Sequence, residues 1–255
     1  MSVEPDDPEP VASAPAPLAF PSAHETYRRT IDLHPAIGVI EAEVEDYLHH
    51  FTVRLAHDGC RVTEATATAV RSPWHSCPVG AAGVRALAGT ELAVAGQSRA
   101  WVTDRSEHCL HVLDLATVAA AHALDHEPTR YEIVVTPAGG RERVATMHRD
   151  GGLLLRWEMD GSTITGPGRF TGVSLERGPF LSWMRAELEP GEYEPVVVMR
   201  RACSIAYSRG IDLDAYAYAS DTQPVDASCY TFRPDVAFTA RRNRGTARAT
   251  ELTSG

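Results

Sequence analysis

The sequence predicts an α+β protein, with an antiparallel strand meander followed by short helices and then a second strand-then-helix half. Three observations carry this. Hydrophobicity alternates with period two from His24 to Val70, and that alternation gives way to helical patterns after Pro73. Alternating stretches then return beyond Tyr131 and are again followed by helical ones.

The elements follow in order. Ile40, Ala42 and Val44 alternate with Glu41, Glu43 and Glu45, and Phe51, Val53 and Leu55 alternate with Thr52, Arg54 and Ala56. A turn at His57-Asp58-Gly59 leads into a Thr-rich alternation from Val62 to Val70. Three or four half-buried antiparallel strands are expected here. Pro78 to Leu87 reads as a short helix with Pro at its first position and Gly89 as its stop. A second helix is expected from about His111 to Leu124. Strands are expected at Tyr131–Thr136, Arg143–His148 and Leu153–Met159, with Gly139-Gly140 and Gly151-Gly152 as the hairpin turns. Two further helices fall at Phe180–Leu188 and Glu192–Ser208, although the run Val196-Val197-Val198 also suits a strand. The two halves are about 23–128 and 129–238. Residues 1–22, acidic and rich in Pro and Ala, read as a disordered leader, and 239–255 as a basic flexible tail.

Composition removes several functions. The 24 basic residues are all arginine, so no lysine is present to form a Schiff base, to carry pyridoxal phosphate or to complete a Walker-type phosphate loop. No Gly-x-Gly-x-x-Gly occurs, and no dinucleotide cofactor is expected. No Gly-x-Ser-x-Gly elbow surrounds Ser72 or Ser76, which argues against a serine hydrolase. A formal net charge of -10 argues against nucleic acid as a partner, despite Arg241, Arg242, Arg244 and Arg248 in the tail. No apolar run is long enough for a membrane span, and residues 1–21 lack the basic start and apolar middle of a secretory signal. The expectation is a cytoplasmic protein with a small-molecule substrate.

Cysteine usage carries the remaining chemistry. Five cysteines, Cys60, Cys77, Cys109, Cys203 and Cys229, are an odd number and argue against a disulfide framework. Cys77 precedes Pro78 at one expected helix start, and Cys109 and His111 stand at the next. Unpaired N–H groups at such places favour a thiolate, so lowered thiol pKa values are expected there. Two readings stay open. Cys77, Cys109 and His111 ligate zinc or iron, with Cys229, Asp114 or water as the fourth ligand. Alternatively one Cys is a nucleophile and His111 or His75 its base. Packing in a small core is the competing explanation for each thiol, and the one preferred for Cys60, Cys203 and Cys229. Trp74 and Tyr230 flank these residues as possible pocket walls, His34 stands at a strand end, and Arg209 is placed to meet a carboxylate or to pair with Asp212. His49-His50 and His122 read as surface or satisfied core positions.

These residues also carry a resemblance. Val53-Arg54-Leu55, Asp58-Gly59, Ser72-Pro73-Trp74, Cys77-Pro78, Leu87-Ala88-Gly89 and Cys109-Leu110-His111 together closely resemble a bacterial family catalogued as domain of unknown function 2889. Arg200-Arg201-Ala202 and Cys229-Tyr230-Thr231-Phe232 are similar to its longer members, so the resemblance covers most of 24–235. It implies a fold and a site around Cys77, Cys109 and His111. A looser likeness of layout is to iron–sulfur scaffold proteins, in which a strand meander runs into a helix opening with Cys. The expectations are therefore an enzyme acting on a small aromatic or acyl molecule by lyase, isomerase or hydrolase chemistry, or a binding and assembly module with a structural metal.

Overall fold

In a computed structural model, residues 26–97 and 104–248 are described. The leader expected over 1–22 and the last part of the expected tail lie outside them. The first strands are β1 (Tyr27–Ala36), β2 (Val39–Asp46), β3 (His50–His57) and β4 (Val62–Arg71). Two short helices follow, α1 (Cys77–Ala82) and α2 (Leu92–Gln97), and then α3 (Leu110–Ala121). Strands β5 (Thr129–Gly139), β6 (Glu142–Arg149), β7 (Gly152–Asp160) and β8 (Thr163–Gly166) precede helices α4 (Arg177–Glu187) and α5 (Tyr193–Ala206). The α+β class is as the sequence predicts. Gly89 ends the α1 region with φ at +88°, a conformation open to Gly at little cost. Val196, Val197 and Val198 belong to helix α5, where tertiary packing outweighs the β preference of valine.

The two halves share one sheet. Eight strands run in the order β4-β3-β2-β1-β5-β6-β7-β8, with β1 hydrogen-bonded to β2 on one side and β5 on the other, all antiparallel. One face of this sheet is apolar. Ile31 on β1 lies between Val44 and Tyr131, and Val135 on β5 lies opposite Ala145 on β6, which in turn faces Trp157 on β7. These residues are all buried, and the helices pack on them: α3 on β2 and β3, α5 on β5, β6 and β7. The other face carries Thr, Glu and Arg, including an Arg130–Asp32 pair at 2.6 Å. Burial of one face and solvation of the other is what period-two alternation encodes. No helix among the described residues is long and apolar enough to cross a membrane.

Residues 239–248 correct the expectation of a solvated tail. The Arg242 guanidinium is buried and donates to the Pro73 carbonyl at 2.8 Å, with Asp214 3.0 Å away. The Arg248 N–H donates to the Tyr47 carbonyl at 2.9 Å. Buried arginine needs such partners, and Arg242 finds them at the Pro73 carbonyl after β4 and at Asp214.

Candidate active site

On the buried face of the sheet, two charged residues stand where apolar ones are the rule. Arg29 on β1 is the cross-strand neighbour of Asp46 at the end of β2. Their side chains pair at 3.0 Å, both fully enclosed. Asp46 also accepts from the Tyr27 hydroxyl at 3.0 Å and from the N–H groups of Leu48 and His49 at 2.9 and 2.8 Å. Its fifth partner is His49 Nδ1, at 3.0 Å. Burial works against the Asp46 carboxylate, but His49 and Arg29 outweigh it and hold its pKa far below the usual carboxylate range. Arg71 fixes this turn by donating to the Asp46 and Tyr47 carbonyls at 2.6 and 2.8 Å.

The thiols arrive from three separate segments. Cys77 opens α1, with its N–H donated to the Trp74 carbonyl at 3.1 Å. Cys109 caps the N-terminus of α3 and donates its N–H to the Gly80 carbonyl in α1 at 2.9 Å. Cys229 comes with the segment 229–232, which is clamped from both sides. The Tyr230 N–H donates to the His108 carbonyl at 3.0 Å, and the Thr231 hydroxyl lies 2.9 Å from that of Ser76 and 3.7 Å from Cys77 Sγ. Gly80 permits the approach, since a Cβ there would sit 2.8 Å from Tyr230 Cβ.

Because α3 packs on β2 and β3, its first turn delivers His111 onto His49. Their rings stack with centroids 3.9 Å apart, and Phe51 stacks on both at about 6 Å. His111 Nδ1 is 4.0 Å from Cys109 Sγ, while its Nε2 is buried without a hydrogen-bond partner. Cys77, Cys109, Cys229, His49, His111 and Trp74 all line one small cavity of about 70 Å³. Tyr230 and Thr231 close its other wall.

The electrostatics reverse one expectation. Burial pushes the Cys77 thiol up to about 11, against the weaker opposing effect of Thr231. Cys109 is pushed further up by burial and by Cys77 and Cys229, although the N–H groups of Val112 and His111 act the other way. Desolvation therefore exceeds the helix-terminus field, and these groups are thiols rather than thiolates. His111 is held well below its ordinary value by burial, then by His49 and Arg29, and is a neutral imidazole.

Other expectations are corrected by position. Asp114 is not a fourth ligand, because Arg201 Nε binds its carboxylate at 2.6 Å. His75 is exposed, and its Nδ1 accepts the Arg241 N–H at 2.8 Å, so it does not serve Cys109 as a base. His34 is exposed on β1, five residues from Arg29 and so roughly 17 Å along the strand. Arg209 stands over the Tyr47 ring at 4.8 Å, outside the cavity lining. Cys60 is exposed rather than packed, whereas Cys203 is buried in α5. Among the described residues, the His, Cys, Asp or Glu trio whose donor atoms all lie within 4.8 Å is Glu43, Glu45 and His50, and it sits on β2 and β3 away from the cavity. The donors of the cavity are spread more widely than that.

Sequence reasoning missed Asp46, Arg29, Tyr27 and His49. A signal was present for the first two. Both occupy the apolar phase of their strands, Asp46 after Ile40, Ala42 and Val44, and Arg29 between Tyr27 and Ile31. A charge in that phase is a buried charge, which is uncommon without a partner or a role.

The chain is an antiparallel sheet covered on one face by helices, with thiols and imidazoles gathered between the layers. Residues 26–125 match the model of the family described as protein of unknown function (DUF2889). This stretch holds β1 to β4 and α1 to α3, and with them Asp46, His49, Cys77, Cys109 and His111. Cys229 and Thr231 come from beyond it. No curated protein matches the chain.

Proposed function

We propose that this chain is an enzyme acting on a small organic molecule, aromatic or acyl in character, by lyase, isomerase or hydrolase chemistry in the cytoplasm. The supporting observation is convergence: three thiols and two imidazoles from four separate segments meet at one cavity, with a fully buried carboxylate behind one imidazole. Asp46 takes the Nδ1 proton of His49 as its hydrogen-bond donor, which leaves Nε2 of that ring as the basic nitrogen. A carboxylate-held imidazole is the arrangement general base catalysis uses. His111, neutral and 4.0 Å from Cys109 Sγ, is placed to receive the proton of that thiol as it attacks and to return it as the sulfur is displaced. The cavity admits little beyond one or two water molecules as it stands. A substrate therefore enters by movement of the 229–232 segment, which forms its outer wall.

The test is turnover by the full chain on a panel of small aromatic acids and acyl esters, followed by mass spectrometry. Cys109→Ser and His49→Gln should abolish whichever reaction is found while leaving the thermal midpoint within a few degrees. An activity that survives in both variants sinks the proposal.

A second reading rests on the donor types. Three thiols and an imidazole are a set that zinc or iron favours, and a structural ion would tie α1, α3 and the 229–232 segment together. The donors would have to contract around it. Metal content per chain decides this, with Cys109→Ser as the comparison: stoichiometric metal lost together with a large drop in stability marks a structural ion.

A further inference from the structure

A second cavity, about 550 Å³, lies between α2, α3, α4 and α5, with Asp114, Thr117 and Val118 of α3 on its wall. Its size is that of a pocket for a whole organic ligand. The floor is apolar and is made by Leu92, Val118, Leu181, Met184, Val197 and Val198. Arginines surround that floor: Arg177 and Arg185 on α4, and Arg200 and Arg201 on α5. Two carboxylates also line it, and both are already engaged. Asp114 is bound by Arg201 at 2.6 Å, and Glu194 accepts from the Tyr131 hydroxyl at 2.5 Å and lies 3.1 Å from His122 Nε2. Among the described residues no carboxylate pairs with Arg177, Arg185 or Arg200, and Arg200 Nε is buried with no hydrogen-bond partner.

This arrangement runs against the rest of the molecule, whose formal net charge is -10. Like charges gathered at a partly dry surface repel one another, and a buried unpartnered donor costs stability. An anion brought from solution removes both penalties at once. We propose that this cleft is a binding site for a carboxylate with an apolar body, its head held by Arg177 and Arg200 and its body on the valine and leucine floor. The planar fork of arginine matches a carboxylate through two parallel hydrogen bonds, and the floor takes the hydrocarbon. Mutual repulsion is visible in the titration of the group: burial, then Arg201 and Arg177, bring Arg200 down to about 10. The inference rests on the cleft alone and stands whether or not the thiol centre is catalytic.

Isothermal titration calorimetry of the full chain with decanoate tests it, with decan-1-ol and decyl phosphate as comparisons. Decanoate should bind at one site per chain and at least ten-fold more tightly than decan-1-ol. Arg200→Gln should weaken it at least ten-fold. Arg177→Gln changes an exposed side chain, so folding is not at stake there, and it should weaken binding several-fold. Equal affinity for acid and alcohol, or undiminished binding in Arg177→Gln, overturns the proposal. Decyl phosphate binding more than ten-fold tighter than decanoate overturns the choice of a carboxylate.

Discussion

The imidazole of His49 stacks on that of His111 with ring centroids 3.9 Å apart and planes 26° from parallel. Two cations at that distance would repel strongly between the layers of the protein. Burial first, then His49 and Arg29, disfavour a proton on His111 and keep that ring neutral.

This gives a pH signature. A histidine whose folded pKa lies below its unfolded value binds fewer protons when folded. His111 therefore subtracts stability as pH falls through the unfolded value of about 6.5. His122 does the opposite. Burial opposes its charge, but Glu194 and Asp125 outweigh this and raise it, so its contribution is full below about 6.5 and fades as pH rises through the raised folded value. Urea midpoints of chelator-treated protein at pH 5.5 and 8 should separate them. His111→Gln should gain relative stability at pH 5.5, and His122→Gln should lose it there.

Asp46→Asn should be strongly destabilising, by about 3–5 kcal/mol, because it leaves Arg29 as an uncompensated buried charge. A depressed carboxylate contributes stability above its unfolded value near 4, and that contribution fades as pH falls from there. The variant should accordingly show a shallower loss of stability between pH 5 and 3. Guanidinium titrations at both values check it; a loss under about 1 kcal/mol would mean Asp46 is not the anchor described.

Alkylation should sort the cysteines. Cys60 is exposed and should react first with iodoacetamide at pH 8. Cys77, raised by burial to about 11, should lag by roughly a hundredfold or more on thiolate content alone. Peptide mapping of timed samples reads this order directly. A fast Cys109 would contradict the burial described for it.

Gly80→Ala places a methyl group 2.8 Å from Tyr230 Cβ. Overpacking of this kind costs about 1–3 kcal/mol, relieved here by displacing the 229–232 segment. Cys229 alkylation should then accelerate while Cys203, buried in α5, stays slow. Unchanged labelling of Cys229 would show that α1 does not hold this segment in place.

Local pattern made much of the fold legible. Alternation in β2 and β3 and the helical phase of α3 are properties of neighbouring residues, and these were readable. The pairing of β1 with β5 was not, because Leu33 and Thr129 are brought together only by the tertiary fold. Cys77, Cys109 and His111 were singled out by residue type and by resemblance. His49 was set aside because its environment depends on where α3 lands, which no local spacing records. The thiol titration was misjudged for a related reason. A helix terminus is worth about 0.3–1 kcal/mol, and only the packed structure reveals a desolvation cost that exceeds it.

The seam between β1 and β5 bears on how the matched stretch can exist. Residues 26–125 include β2 as a neighbour of β1 but end before β5 begins. Taken alone, that stretch would carry β1 from Tyr27 to Leu33 as a bare edge, its ladder groups free to recruit any extended strand. The same stretch would leave Cys77 without Thr231 and the His108 carbonyl without the Tyr230 N–H. The second half thus covers that border with β5 and closes the cysteine chamber with the 229–232 segment.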